Sequence, residues 1–142
     1  MKPEDNSQSA QIFDLIRAGI GQIPFNALLG IELTEIEKDR ARVTLPWKPE
    51  LGRSTGAVHG GVTATLLDVV GAAAVASNLG VSSSKTFATI SLLVNYLDSA
   101  EGEDLSAEAK IIKRTASHAF VEARVSTAAG RLLATGSMVY KT

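Results

Sequence analysis

Residues 56–77 read GAVHGGVTATLLDVVGAAAVAS, a run of small and apolar residues with one formal charge, at Asp68. The run is too long for a strand and rich in alanine and leucine, so residues 59–79 are expected to form one long helix, with Asn78 and Gly80 as its stop. A helix with almost no polar face has to be buried nearly all round. One sheet covers only one side of it, and a second copy of the chain is the simplest source of the remaining cover.

The other segments supply the sheet. GIELTEIEKDRARVTLPW reads as a hairpin, with Ile31, Leu33 and Ile36 before a charged turn at Lys38-Asp39-Arg40, and Val43 and Leu45 after it. Pro46 and Pro49 end that hairpin and open a loop over 47–58. Four strand-like runs follow the helix, at 85–98, 104–114, 118–128 and 131–141. In the third, Ala119, Val121, Ala123 and Val125 alternate with Phe120, Glu122, Arg124 and Ser126, the period of a half-buried strand. AAGR at 128–131 turns the chain into the last run.

At the other end, residues 1–9 are expected to be a disordered lead. Ile12, Phe13, Leu15, Ile16 and Ile20 predict a short helix from Ala10, and IPFNALLGIEL a packed turn. The expected class is α+β: an antiparallel sheet of about six strands covering one long central helix, with a short N-terminal helix, as a single domain over 10–142.

Composition removes whole classes of function. Fourteen basic and 15 acidic residues give a net charge of −1, without the basic field of a nucleic-acid binder. Cysteine is absent, which excludes disulfides, thiolate catalysis and zinc–thiolate sites. The two histidines, His59 and His118, are too far apart in the chain to point to a metal site, and no cofactor is expected. The N-terminal MKPEDNSQSA lacks the apolar core of a secretory signal, and Asp68 interrupts the longest weakly polar run. A cytoplasmic protein with no membrane partner is expected.

Asp68 carries the chemistry. An ionised carboxylate is costly to bury unless paired, and no Lys or Arg lies three or four residues away; the helical neighbours are Ala64, Thr65, Gly71 and Ala72. Either Asp68 faces a solvent gap or caps a backbone group, or it is a general base or nucleophile. Upstream, His59-Gly60-Gly61 puts two glycines in a first helical turn, against helix propensity. Without Cβ atoms, a ligand carbonyl can lie against first-turn N–H groups, as in an oxyanion hole. His59 either orients a substrate or fixes the loop. Gly60 and Asp68 stand ~12 Å apart along one helix axis, too far to act on one carbon. Two such helices packed antiparallel in a homodimer bring Gly60 of one chain to Asp68 of the other, giving two equivalent sites.

TGAVHGGVTATLLD, followed by TFATISLLVNYLDSA, resembles the hotdog-fold acyl-CoA thioesterases of the PaaI type, within the 4-hydroxybenzoyl-CoA thioesterase superfamily, over roughly residues 24–141. The resemblance implies hydrolysis of an acyl-CoA to a free acid and CoA. It implies Gly60 N–H as oxyanion donor, Asp68 as base or nucleophile, and Thr89 as a hydroxyl holding water near the carboxylate. Gly61 and Thr65 would line the substrate. Where the family commonly has an Asn six residues before the His, this chain has Arg53, which puts the second carbonyl contact in question. Arg53, Lys85, Lys113 and Arg114 are candidate partners for CoA phosphates, Lys113 and Arg114 foremost. His118 reads as a turn residue. The implied assembly is a homodimer with shared sites, and a tetramer of two dimers.

Two alternatives have their own signatures. A hotdog dehydratase or hydratase uses His as its base, typically followed by Phe-Pro-Gly, where this chain has Gly-Gly-Val. A non-catalytic acyl-CoA-binding module would hold the ligand without releasing CoA.

Overall fold

The computed structural model describes residues 3–78 and 86–142, side chains of 3–6 and 9 apart. The chain runs α1 (Pro3–Gln22), α2 (Pro24–Leu29), β1 (Glu32–Glu37), β2 (Arg40–Leu45), a 3-10 turn (Pro49–Leu51), α3 (Gly60–Ala76), β3 (Ala88–Tyr96), β4 (Leu105–Arg114), β5 (His118–Thr127) and β6 (Leu132–Lys141). The six strands form one antiparallel sheet in the order β1-β2-β4-β5-β6-β3. The sheet curves around α3, which packs on β2, β4, β5 and β6. This is the hotdog architecture: a long apolar helix wrapped by a sheet.

The core follows from period and volume. Ala119, Val121, Ala123 and Val125 of β5 are buried, and Phe120, Glu122 and Arg124 between them are exposed. Against them lie Leu66, Leu67, Val70, Ala73 and Ala74 of α3, all buried. The close approach of helix to sheet uses glycine on the strand side: a Cβ at Gly136 of β6 would stand 3.0 Å from a Leu67 methyl.

The N-terminal region departs from expectation. Helix α1 begins at Pro3 rather than Ala10 and runs for 20 residues, so residues 3–9 are helical and not a disordered lead. Proline suits the first helical position because its missing N–H would have no intrahelical partner there. The packed turn contains a six-residue helix, α2, with Pro24 at its start and Gly30 closing it at φ +88°. Buried Asn26 ties the two helices together by donating to the Ile20 carbonyl at 3.1 Å.

Helix α3 ends at Ala76, three residues short of expectation, and Gly80 lies outside the described residues. Its burial is also one-sided. Gly61 is exposed, and Ala64, Thr65, Asp68, Val69 and Ala72 are half-buried, forming a stripe along the face that the sheet leaves uncovered. Edge strand β3 borders it and exposes Ile90, Leu92, Leu93 and Tyr96.

Candidate active site

The site begins where α3 begins. The His59 N–H donates to the Leu51 carbonyl (2.9 Å) and the Val58 N–H to Ala100 (2.8 Å), anchoring the helix entry between two loops. His59 is the N-cap residue, extended at φ −65°, ψ 133°, and its Nδ1 accepts from the Gly61 N–H at 2.8 Å. That bond fixes the tautomer of a neutral ring, with the proton on Nε2. On the other side of the same peptide group, the Tyr96 hydroxyl donates to the Gly60 carbonyl at 3.0 Å. The Gly60–Gly61 peptide is thus clamped at both ends.

This clamp accounts for both glycines. A Cβ on Gly61 would meet His59 Nδ1 at 2.9 Å, and one on Gly60 would meet the Tyr96 ring at 3.3 Å. It also reduces the set of donors expected from the first turn. The Gly61 N–H is held by His59 and the Val62 N–H by the His59 carbonyl at 2.9 Å. The Gly60 N–H, first in the helix, has no acceptor among the described residues, and it is the one left to meet a ligand oxygen.

Two turns further along α3, half-buried Asp68 receives two hydroxyls on one oxygen. Thr89 Oγ1 of β3 donates to Oδ1 at 2.8 Å, and the Tyr140 hydroxyl of β6 lies 2.9 Å from the same atom and 2.8 Å from the Asp68 carbonyl. Oδ2 has no donor, and no cation pairs with the carboxylate, among the described residues. Tyr140 is fully buried, with its ring edge-on to Phe87 at 6.2 Å between centroids. Burial, and then the Asp68 carboxylate, push its phenol well above the ordinary tyrosine range and keep it a proton donor. Thr65, one turn before Asp68, turns its hydroxyl back to the Gly61 carbonyl at 2.8 Å. The arrangement offers a carboxylate with one free oxygen and, some two turns away, one free N–H.

The remaining candidates lie elsewhere. Arg53 sits in an exposed turn closed by its N–H to the Ala57 carbonyl at 2.7 Å. Lys113 is exposed on β4 opposite Phe120, and Lys85 lies outside the described residues. Arg114 is bound into the fold. Its Nε holds Asp39 Oδ1 at 2.8 Å, and its Nη2 donates to the Val75 and Ala74 carbonyls at 3.2 and 3.4 Å. It closes the C-terminal end of α3, ~24 Å along the axis from Gly60, where the helix presents unsatisfied carbonyls and partial negative charge. Its Nε and Nη2 are thus engaged with Asp39 and the end of α3. His118 starts β5, with Nδ1 2.8 Å from the neighbouring Ser117 hydroxyl. Among the described residues, no group of three or more His, Cys, Asp or Glu stands close enough to share a metal ion.

Tyr96 and Tyr140 were not among the sequence candidates. One signal for Tyr140 was available: a tyrosine on the buried face of a strand needs a partner for its hydroxyl, and a lone carboxylate in an apolar helix needs a donor.

The family model for the thioesterase superfamily matches residues 55–134, a span holding Gly60, Asp68 and Thr89 and ending before Tyr140. A curated protein of Halobacterium salinarum, whose name proposes an esterase, is 34% identical over 102 residues, 70% of this chain and 67% of that protein. A similarly named protein of Saccharolobus solfataricus is 29% identical over 104 residues, 73% of this chain and 72% of its own. A solved structure from the thioesterase superfamily superposes with a TM-score of 0.84 at 28% identity, covering 93% of this chain and 98% of that one. The Escherichia coli PaaI protein from the phenylacetic acid degradation operon shares the fold, with a TM-score of 0.82 at 16% identity over 94% of each chain. The helix with its HGG start and its lone carboxylate lies inside the matched region, and the chain belongs to the thioesterase superfamily.

Proposed function

We propose that the protein is an acyl-CoA thioesterase, hydrolysing the thioester to a free acid and CoA without a cofactor. The observation that carries the reading is the pairing of one first-turn N–H, on Gly60, with a carboxylate held by one oxygen, the N–H and the other oxygen both without a partner among the described residues. In this reading Asp68 takes a proton from water as the water oxygen attacks the thioester carbon, or Oδ2 itself attacks. The negative charge that gathers on the carbonyl oxygen is met by the Gly60 N–H. On the water route, collapse breaks the C–S bond and the CoA sulfur leaves with the proton that Asp68 took. On the direct route, collapse expels the CoA thiolate and leaves an acyl–Asp68 anhydride, and a water then hydrolyses it, freeing the acid, restoring the Asp68 carboxylate and supplying the thiol proton.

Both groups act on one carbon only if they come from different chains. The reading is therefore a homodimer with two shared sites, acting in the cytoplasm, with a tetramer as its further assembly. Supporting it are the uncovered stripe on α3 and the apolar, unpaired edge of β3, a surface that a second copy would cover. Arg53 and Lys113, whose charged ends have no protein partner among the described residues, are the candidates for the CoA phosphates. The likeness to PaaI makes phenylacetyl-CoA the first acyl group to try, with hydroxybenzoyl and medium- to long-chain acyl thioesters beside it.

The test is release of free CoA from this panel, followed with a thiol reagent. The wild-type protein is expected to release CoA, and Asp68→Ala to lose most turnover while keeping its circular dichroism. Binding without release would identify a binding module instead.

A further inference from the structure

We infer that Tyr140 is a positioning residue for Asp68: its hydroxyl and that of Thr89 together hold Oδ1, so that Oδ2 is presented as the reacting oxygen. The inference rests on the thioesterase reading and adds a residue outside the family-matched span.

Three observations carry it. The Tyr140 side chain is fully buried, and its one proton faces two acceptors of a single residue, the Asp68 carbonyl at 2.8 Å and Oδ1 at 2.9 Å. The carbonyl is a mid-helix acceptor already served by the helix ladder, whereas the carboxylate has no cation among the described residues, so the charged oxygen is the stronger claimant on the proton.

The second observation is on the helix. Gly71 is buried in the middle of α3, where glycine is unfavourable by about 1 kcal/mol against alanine. A Cβ there would stand 2.5 Å from the Tyr140 hydroxyl and 2.7 Å from Met138 Cε. The helix therefore gives up propensity at the one position that admits the phenol to Asp68. Third, both hydroxyls meet the same carboxylate oxygen, from strands β3 and β6 that are paired at that point, Thr89 opposite Tyr140. Two donors on Oδ1 fix the carboxylate rotation and leave Oδ2 without a donor among the described residues, which is the condition a base or nucleophile needs.

Tyr140→Phe removes the hydroxyl and keeps the ring. Its kcat on the best acyl-CoA of the panel is expected to fall about tenfold or more, with KM little changed, as for loss of a hydrogen bond to a charged group. A second readout does not depend on turnover: with ¹³C-labelled aspartate, and the Asp68 signal assigned through Asp68→Asn, the Asp68 carboxyl resonance at one fixed pH should move in Tyr140→Phe while the other aspartate signals stay in place, because a hydrogen bond to that carboxylate is gone. Wild-type kcat with an unmoved Asp68 resonance overturns the inference. So does a fall in kcat with an unmoved resonance, which marks a purely structural role. A wild-type protein that hydrolyses no acyl-CoA overturns the thioesterase reading, and the Asp68 resonance alone then decides whether Tyr140 holds Asp68.

Discussion

At the residue scale, a carboxylate in an apolar helix is tolerable here because two strands bring hydroxyls to it. Thr89 was identifiable from the sequence because it stands at the start of a strand within the recognised motif. Tyr140 offered only the general signal of a buried hydroxyl in need of a partner, and it is the β3–β6 register that places it opposite Thr89. Gly60 and Gly61 were read as room for a ligand, yet their nearest neighbours are the Tyr96 and His59 rings of the same chain. That crowding depends on loop geometry that no spacing encodes.

Two outcomes are expected at this scale. Gly71→Ala should destabilise the fold by about 1–3 kcal/mol in chemical denaturation, as overpacking against Tyr140 and Met138 outweighs the gain in propensity. Tyr140 also sets an alkaline limit. Its folded pKa is raised, so the folded state holds its proton more tightly than the unfolded chain does. The associated stability is fully present below the ordinary tyrosine pKa of about 10 and is lost as pH rises beyond it. Urea midpoints measured between pH 8 and 11 should fall at the alkaline end, and less so in Tyr140→Phe.

At the element scale, α3 is fixed at both ends by side chains from elsewhere in the sequence. His59 caps the first turn, and Arg114, with Asp39, closes the last. Arg114→Met should reduce stability by about 1 kcal/mol, through loss of the partly buried ion pair and the helix-end contacts, and the difference should shrink at high salt. The long helix and all six strands were readable from period and turn residues, and all of the strands but β3 bury one face on the core. Helix α2 was missed because six residues give no periodic pattern, and the start of α1 because residues 3–9, PEDNSQS, hold no apolar repeat to mark it.

At the scale of the whole molecule, β3 remains the element without a finished environment. Leu93 is 57% exposed and Tyr96 58%, on a nine-residue strand with one unpaired edge. Its composition reads as a buried strand, and one chain does not bury it. Leu93→Lys is expected to shift the sedimentation coefficient toward the monomer and to lower CoA release in parallel, if β3 is where two copies meet.

The shared site is the central claim, and subunit complementation tests it most directly. Gly60→Pro removes the proposed oxyanion donor at a first-turn position that favours proline, after a residue already extended at ψ 133°. Asp68→Asn removes the base. Each variant alone should be inactive. Co-expressed, they form mixed dimers in which one site pairs the intact Gly60 of one chain with the intact Asp68 of the other, so CoA release should return to about a quarter of wild type at equal subunit ratio. Co-expressed variants that form mixed dimers and yet release no CoA would contradict the account.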